Sequence, residues 1–224
     1  MLKLNYIRKA EALRYMGIKG EASPENLTSL IDTCEKELLS VIRPRYHYEK
    51  FEITHSDNGI KVNNTSLTLT GNEISSHLKS CKEIIMLAAT LSAGVDALIR
   101  RLEIQDMASA LITDALASTA IEQICDMIDE EIAEDNKPLY LTTRFSPGYG
   151  DLPLDLQQAV LTVLSAQKKI GLCVTGSSIL TPRKSVTAIV GLSEEKPRKE
   201  KGSCAICNLK DGCEFRKRGE RCGF

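Results

Sequence analysis

Four cysteines crowd the C-terminal end of this 224-residue chain: Cys204 and Cys207, then Cys213 and Cys222, with intervals of two, five and eight residues between them. Four thiolates so close together can enclose one metal centre. Lys210, Arg216, Lys217, Arg218 and Arg221 lie among them, and neighbouring cations favour the thiolate form that binds metal. Zinc is satisfied by four cysteines, but its paired knuckles want a second short interval, and Cys213 to Cys222 is too wide. A four-cysteine iron–sulfur cluster tolerates irregular spacing. The order of readings is therefore iron–sulfur, then zinc, then unligated thiols. The other four cysteines, Cys34, Cys81, Cys125 and Cys173, are scattered in apolar surroundings and read as small core residues.

A second set of residues invites ligand chemistry: Arg144-Phe145-Ser146-Pro147-Gly148-Tyr149-Gly150-Asp151. Arg144 offers a planar, permanently charged fork for a carboxylate. Tyr149 offers a ring and a hydroxyl, while Gly148 and Gly150 permit backbone conformations that a β-carbon forbids. Such a loop suits a small zwitterionic or heteroaromatic ligand. An ordinary strand-to-helix turn with a surface arginine has the same composition. Asp114 and Glu122 interrupt a stretch of small residues, either as solvent-facing charges or as carboxylates facing a cleft. His47, His55 and His77 have no Cys or His at ligand spacing and read as surface or structural residues. No G-x-G-x-x-G, Walker loop or H-E-x-x-H is present.

Composition bounds what these residues can belong to. The net charge is −1, with 26% charged and 42% hydrophobic residues and no Trp, which excludes global disorder, a fibre or a nucleic-acid-coating protein. No apolar run approaches the roughly 18 residues a membrane span needs. Charge interrupts the N-terminus too early for a secretory signal, so a cytoplasmic protein is expected. The charge is divided unevenly. Residues 194–224 hold nine Lys/Arg and six Asp/Glu, a net of +3, leaving 20 and 24, a net of −4, for the rest. We expect a body over residues 1–193, a linker over 194–203 and a four-cysteine metal-binding tail over 204–224.

The elements that would position the loop follow from periodicity. Short helices are expected at Ala10–Met16 and Gly71–Leu78. A longer helix should start at Ser23-Pro24-Glu25-Asn26 and run to about Ile42. Tyr46–Ile53 and Lys61–Leu69 read as strands about a turn at Asp57-Asn58-Gly59. Glu83–Ala89 is a continuous apolar run suited to a buried central strand. One long helix is expected at about 104–133, with Ile104, Ala108, Leu111, Ala115, Ile121, Ile124, Ile128 and Ile132 at helical spacing. Leu139–Phe145, Leu172–Thr175 and Ser185–Leu192 read as further strands and Leu154–Lys168 as a helix. Without regular βαβ alternation, the fold class is α+β with a twisted antiparallel or mixed sheet flanked by helices.

The loop Arg144-Phe145-Ser146-Pro147-Gly148-Tyr149 resembles the Arg-x-x-Pro-Gly-Tyr signature of the activation (reactivation) domain of cobalamin-dependent methionine synthase. Pro182-Arg183-Lys184-Ser185-Val186-Thr187 is similar to that family's Pro-x-x-Ser-Val-Ser strand, and Met86–Leu91 with the small-residue helix agrees. The resemblance covers about residues 80–192 and is nearest to short, free-standing members. It implies S-adenosylmethionine bound by Arg144, Ser146, Pro147, Gly148, Tyr149 and Gly150, with Arg144 on the ligand's carboxylate and Asp114 or Glu122 as an acidic partner. It also implies a cobalamin-binding methionine synthase, or related corrinoid protein, as partner. Gly150-Asp151-Leu152-Pro153 replaces the family's Pro-Ala-Cys-Pro run, and the N-terminal Asp-Trp-Thr-Pro element is absent.

The function so implied is reductive reactivation: the methyl group is presented to protein-bound cobalamin, and an iron–sulfur tail could relay the electron from a donor. The chain would act as an accessory subunit by positioning, without a catalytic base. The alternative is a non-catalytic corrinoid-protein binding module with a structural metal clasp.

Overall fold

The computed structural model describes residues 2–17 and 25–196. Its centre is β4, Cys81–Thr90, the expected apolar strand. Side chains alternate across a strand, so a strand apolar throughout must be covered on both faces. Ile85, Leu87 and Ala89 enter one hydrophobic core, and Ile84, Met86 and Ala88 enter a second. On one side β4 pairs with β1, Arg45–Ser56, and on the other with β8, Ser185–Ser193, both antiparallel. With β2 (Gly59–Val62), β3 (Thr68–Leu69) and β5 (Tyr140–Leu141), they form one six-stranded antiparallel sheet in the order β3-β2-β1-β4-β8-β5.

The first face carries α1 (Lys9–Tyr15) and the three longest helices, α2 (Glu25–Val41), α4 (Ala93–Gln105) and α5 (Met107–Asp135). The second is covered by α3 (Asn72–His77), α6 (Leu156–Val163) and α7 (Ala166–Ile170). A small separate ribbon, β6 (Cys173–Val174) with β7 (Leu180–Thr181), leads into β8. The α+β class with an antiparallel sheet is therefore as expected.

Several boundaries differ, for local reasons. The long helix begins at Met107 rather than Ile104. Asp106 is extended, with φ −157° and ψ 101°, and its carboxylate accepts from the Ala108 amide at 3.0 Å and the Ser109 hydroxyl at 2.6 Å. That N-cap separates α5 from α4, a helix the periodicity did not reveal. Ile104, 89% exposed, lies in the last turn of α4, and Leu111 is also exposed. The buried face of α5 keeps Ala115, Ile121, Ile124, Ile128 and Ile132 from the expected pattern and adds Ile112, Leu116 and Ala120. Lys61–Leu69 is two strands rather than one, because Asn63–Ser66 turn the chain with Asn64 at φ 60°. Leu154–Lys168 is likewise divided into α6 and α7 at Ser165, which has φ 50°. Strand character beyond Leu141 survives only as a single bridge between Phe145 and Ile189.

The scattered residues fall mostly as expected. Cys34, Cys81 and Cys125 are buried free thiols, while Cys173 is half-buried. The His55 ring donates to the Cys81 carbonyl at 3.0 Å and the His77 ring to the Thr143 carbonyl at 2.9 Å. His47 sits beside Glu49 and Lys169. Among the described residues no helix is long and apolar enough to cross a membrane. Ser23, Pro24 and Cys204, Cys207, Cys213 and Cys222 lie outside the described residues.

The exposed start and buried middle of the helical pattern are separable by experiment. Ile124→Ala should lower the unfolding free energy by about 2–5 kcal/mol, since the side chain is fully buried. Ile104→Ala should stay within about 0.5 kcal/mol. Urea titration of both variants measures the difference.

Candidate functional site

Arg144 leaves the sheet edge just after β5, and its side chain crosses to α5. There Glu122, Asp126 and Asp129 follow one another at helical intervals of four and three residues, so they share one face. The Arg144 guanidinium donates to Glu122 at 3.0 Å, to Asp126 at 3.1 Å and to Asp129. A second guanidinium, that of Arg8 in the N-terminal segment, donates to the other oxygen of Asp126. Three carboxylates thus face two arginines. Arg144 is only 13% exposed, and a charge so covered requires partners of this kind.

The electrostatics of the cluster are set by burial. It raises the Asp129 carboxyl to about 6, although Arg144 opposes the shift. Burial also raises Glu122, with Arg144 again opposing. The carboxylates in turn outweigh the desolvation of Arg144 and hold its pKa above the ordinary value. Cys125, on the same helix, is pushed up by burial and is an inert thiol.

The same face of α5 continues toward its N-terminus through Ser118 and Asp114. Lys184, in the segment before β8, reaches Asp114 at 2.8 Å and the Ser118 hydroxyl at 2.9 Å. Asp96 holds that segment by accepting from the Arg183 amide at 2.9 Å. Two loops therefore each send one cation onto one stripe of α5. Asp114, Glu122 and Arg144 share this stripe. Each of the two acids is ion-paired, Asp114 with Lys184 and Glu122 with Arg144.

The rest of the loop goes elsewhere. Phe145, next to Arg144 on an extended segment, points the opposite way and is buried in the second core. Tyr149 meets it edge-on, with ring centroids 5.2 Å apart and planes at 88°. Ser146-Pro147-Gly148-Tyr149 forms a turn closed by the Tyr149 amide on the Ser146 carbonyl at 3.0 Å. Pro147 pre-sets its first central position, and Gly148, at φ 87°, supplies the left-handed second. Gly150, at φ 55°, opens the next turn, and a β-carbon there would collide with the Glu73 carboxylate. Asp151 closes the loop onto α3 by accepting from the Asn72 and Glu73 amides. Arg144 and the Pro-Gly-Tyr turn thus serve opposite faces of the sheet edge.

Asp126, Asp129, Arg8 and Lys184 were not singled out as site residues from the sequence. The acids at 122, 126 and 129, spaced to share one face of a helix, were the available signal. The arginine and lysine come from distant segments and carried none. Among the described residues no cluster of His, Cys, Asp and Glu is arranged to hold a metal ion.

The raised Asp129 carboxyl has a testable sign. Its folded value of about 6 lies above the ordinary 3.8, so the fold favours the neutral form. Its contribution is full below about 3.8 and is lost as pH rises through about 6. Between these limits wild-type stability should fall relative to Asp129→Asn, on the order of 1 kcal/mol. Thermal unfolding of both proteins across that range measures it.

No family model and no curated protein sequence matches this chain. Among solved structures the fold matches a crystal structure of the MetH reactivation domain bound to AdoHcy, with a TM-score of 0.67 and 17% identity. The match covers 97% of this chain and 83% of that one. The chain therefore has the fold of the MetH reactivation domain.

Proposed function

We propose that this chain is an accessory protein for reductive reactivation of a cobalamin-dependent methionine synthase. It binds S-adenosylmethionine and presents the methyl group to cobalamin held by that partner. The observation that carries the reading is its likeness in fold, over nearly its whole length, to a MetH reactivation domain bound to AdoHcy. The Arg-x-x-Pro-Gly-Tyr loop on the sheet edge supports it.

The chemistry needs little from side chains. The partner's cobalamin, once reduced by one electron, would supply the nucleophile for the sulfonium methyl, and the carbon–sulfur electron pair would stay on sulfur, leaving a neutral thioether. No proton moves, so no general base is required. The chain's contribution is alignment and exclusion of water. Arg144 pairs with the ligand's carboxylate through its fork, Glu122 or Asp114 with its ammonium, and Ser146, Pro147, Gly148, Tyr149 and Gly150 line the remainder. Cys204, Cys207, Cys213 and Cys222 would hold an iron–sulfur cluster, or alternatively zinc, and a cluster would relay the electron from a donor protein.

Two observations favour the second reading, a non-catalytic corrinoid-protein binding module. Arg144 is already engaged by three carboxylates, so a ligand carboxylate must displace at least one. Arg144 and the Pro-Gly-Tyr turn also face opposite sides of the sheet edge, so a ligand meets both only if the loop rearranges.

Calorimetric titration with S-adenosylmethionine separates the two. Binding that weakens about tenfold or more in Arg144→Lys, which keeps the charge and loses the fork, supports the enzyme-like reading. No binding by the wild type overturns it in favour of the module.

For the tail, protein purified without oxygen should contain iron and sulfide and show visible absorption that Cys207→Ser abolishes. Zinc alone would overturn the cluster.

A further inference from the structure

A cleft of about 540 Å³ opens where β1 finishes, β4 begins and β8 ends, and among its lining residues are Glu52, Glu83, Glu194, Lys82, Leu139 and Leu192. That volume lies within the range of ligand-sized sites. Glu52 and Glu83 are direct cross-strand partners, and Glu83 is in turn opposite Leu192. Like charges facing each other across strands are unfavourable unless something cationic covers them. Lys50 reaches Glu83 at 3.3 Å, and Lys82 reaches Glu194 at 3.2 Å. Glu52 makes no ion pair among the described residues. The cleft therefore presents more negative charge than its own lysines neutralise.

The chain itself leaves the sheet here. β8 ends at Ser193, Glu194 lines the cleft, and Lys196, Arg198, Lys199 and Lys201 follow within seven residues of Glu194. Adjacent strands lie about 4.8 Å apart, so Glu52 on β1 is about 10 Å from β8. Each residue of extended chain spans up to about 3.5 Å, so three or four residues beyond Glu194 reach it. A basic segment tethered so closely has an effective concentration in the millimolar range.

We propose that this acidic cleft is the docking site of the chain's own basic segment, Lys196 to Lys201, which engages Glu52 and Glu83. The docking anchors the Cys-rich tail at the β8 end of the sheet. It rests on the charge and position of the cleft, so it stands or falls apart from ligand binding and from whatever the cysteines hold.

Zero-length carbodiimide coupling of the full chain, read by mass spectrometry, tests it. The Lys82–Glu194 pair serves as the internal control. Intramolecular links from Glu52 or Glu83 to Lys196, Lys199 or Lys201 are expected. They should be lost at about 1 M salt, where the screening length falls to about 3 Å. Glu52→Gln with Glu83→Gln should speed tryptic cleavage after Arg198 and Lys199 several-fold. The control link without any tail link overturns the proposal. So do links that join two molecules only, which would make a second copy the occupant.

Discussion

A guanidinium that is almost covered by protein must find its counter-charges within the fold, and Arg144 finds three of them on one helix. Removing a charge from water is expensive, and only close, well-directed partners repay it. The pairing therefore constrains more than one side chain. It sets the rotation of α5, because Glu122, Asp126 and Asp129 must face the sheet edge while Ile124 and Ile128 face the core. It also sets where the chain leaves β5, because Arg144 must point to the helix. Arg8 meets one of the same acids, Asp126, and ties the N-terminal segment to it.

With Arg144 turned toward α5, its neighbour Phe145 must turn away, and the second core receives it. The consecutive turns that follow bring Tyr149 against Phe145 and Asp151 against the start of α3. One short loop is thereby pinned on both faces of the sheet. A second, carrying Lys184, is pinned on the same stripe of α5 through Asp114 and Ser118. Any ligand held at this edge meets a surface fixed by these ion pairs rather than by loop packing alone. The excess of acid over base in the Arg144 cluster also leaves room for a further cation or proton. Burial raises the Asp129 carboxyl against the pull of Arg144, and the neighbouring Asp126 and Glu122 add to that rise.

Much of the fold was legible because its signals are local. The apolar run of β4 admits a strand buried on both faces, and Asn58-Gly59 marks the β1–β2 turn. Pro147, Gly148 and Gly150 announced a loop whose backbone needs left-handed positions. The errors have local causes as well. Ile104, Ala108 and Leu111 fall at helical spacing, but the Asp106 cap takes Ile104 out of the helix, and Leu111 faces outward. Periodicity reports which residues could share a face; it does not report whether anything covers that face. Ser165 adopts left-handed backbone without being glycine, so its break left no mark in composition, whereas Asn63-Asn64-Thr65-Ser66 is a run of turn formers that the single-strand reading passed over.

By itself, the amino-acid sequence determined an α+β chain with one long helix, an arginine–glycine–tyrosine loop and a charge division near residue 193. Those follow from propensity, period and composition, which act over a few residues. Only the tertiary structure decided that Arg144 would be shared among three carboxylates, that Lys184 would meet Asp114, and that Arg144 and Tyr149 would serve opposite faces. Those outcomes depend on strand parity and on the rotation of α5 against the sheet. Both are settled by burial summed over residues far apart in the chain, where no local pattern reaches.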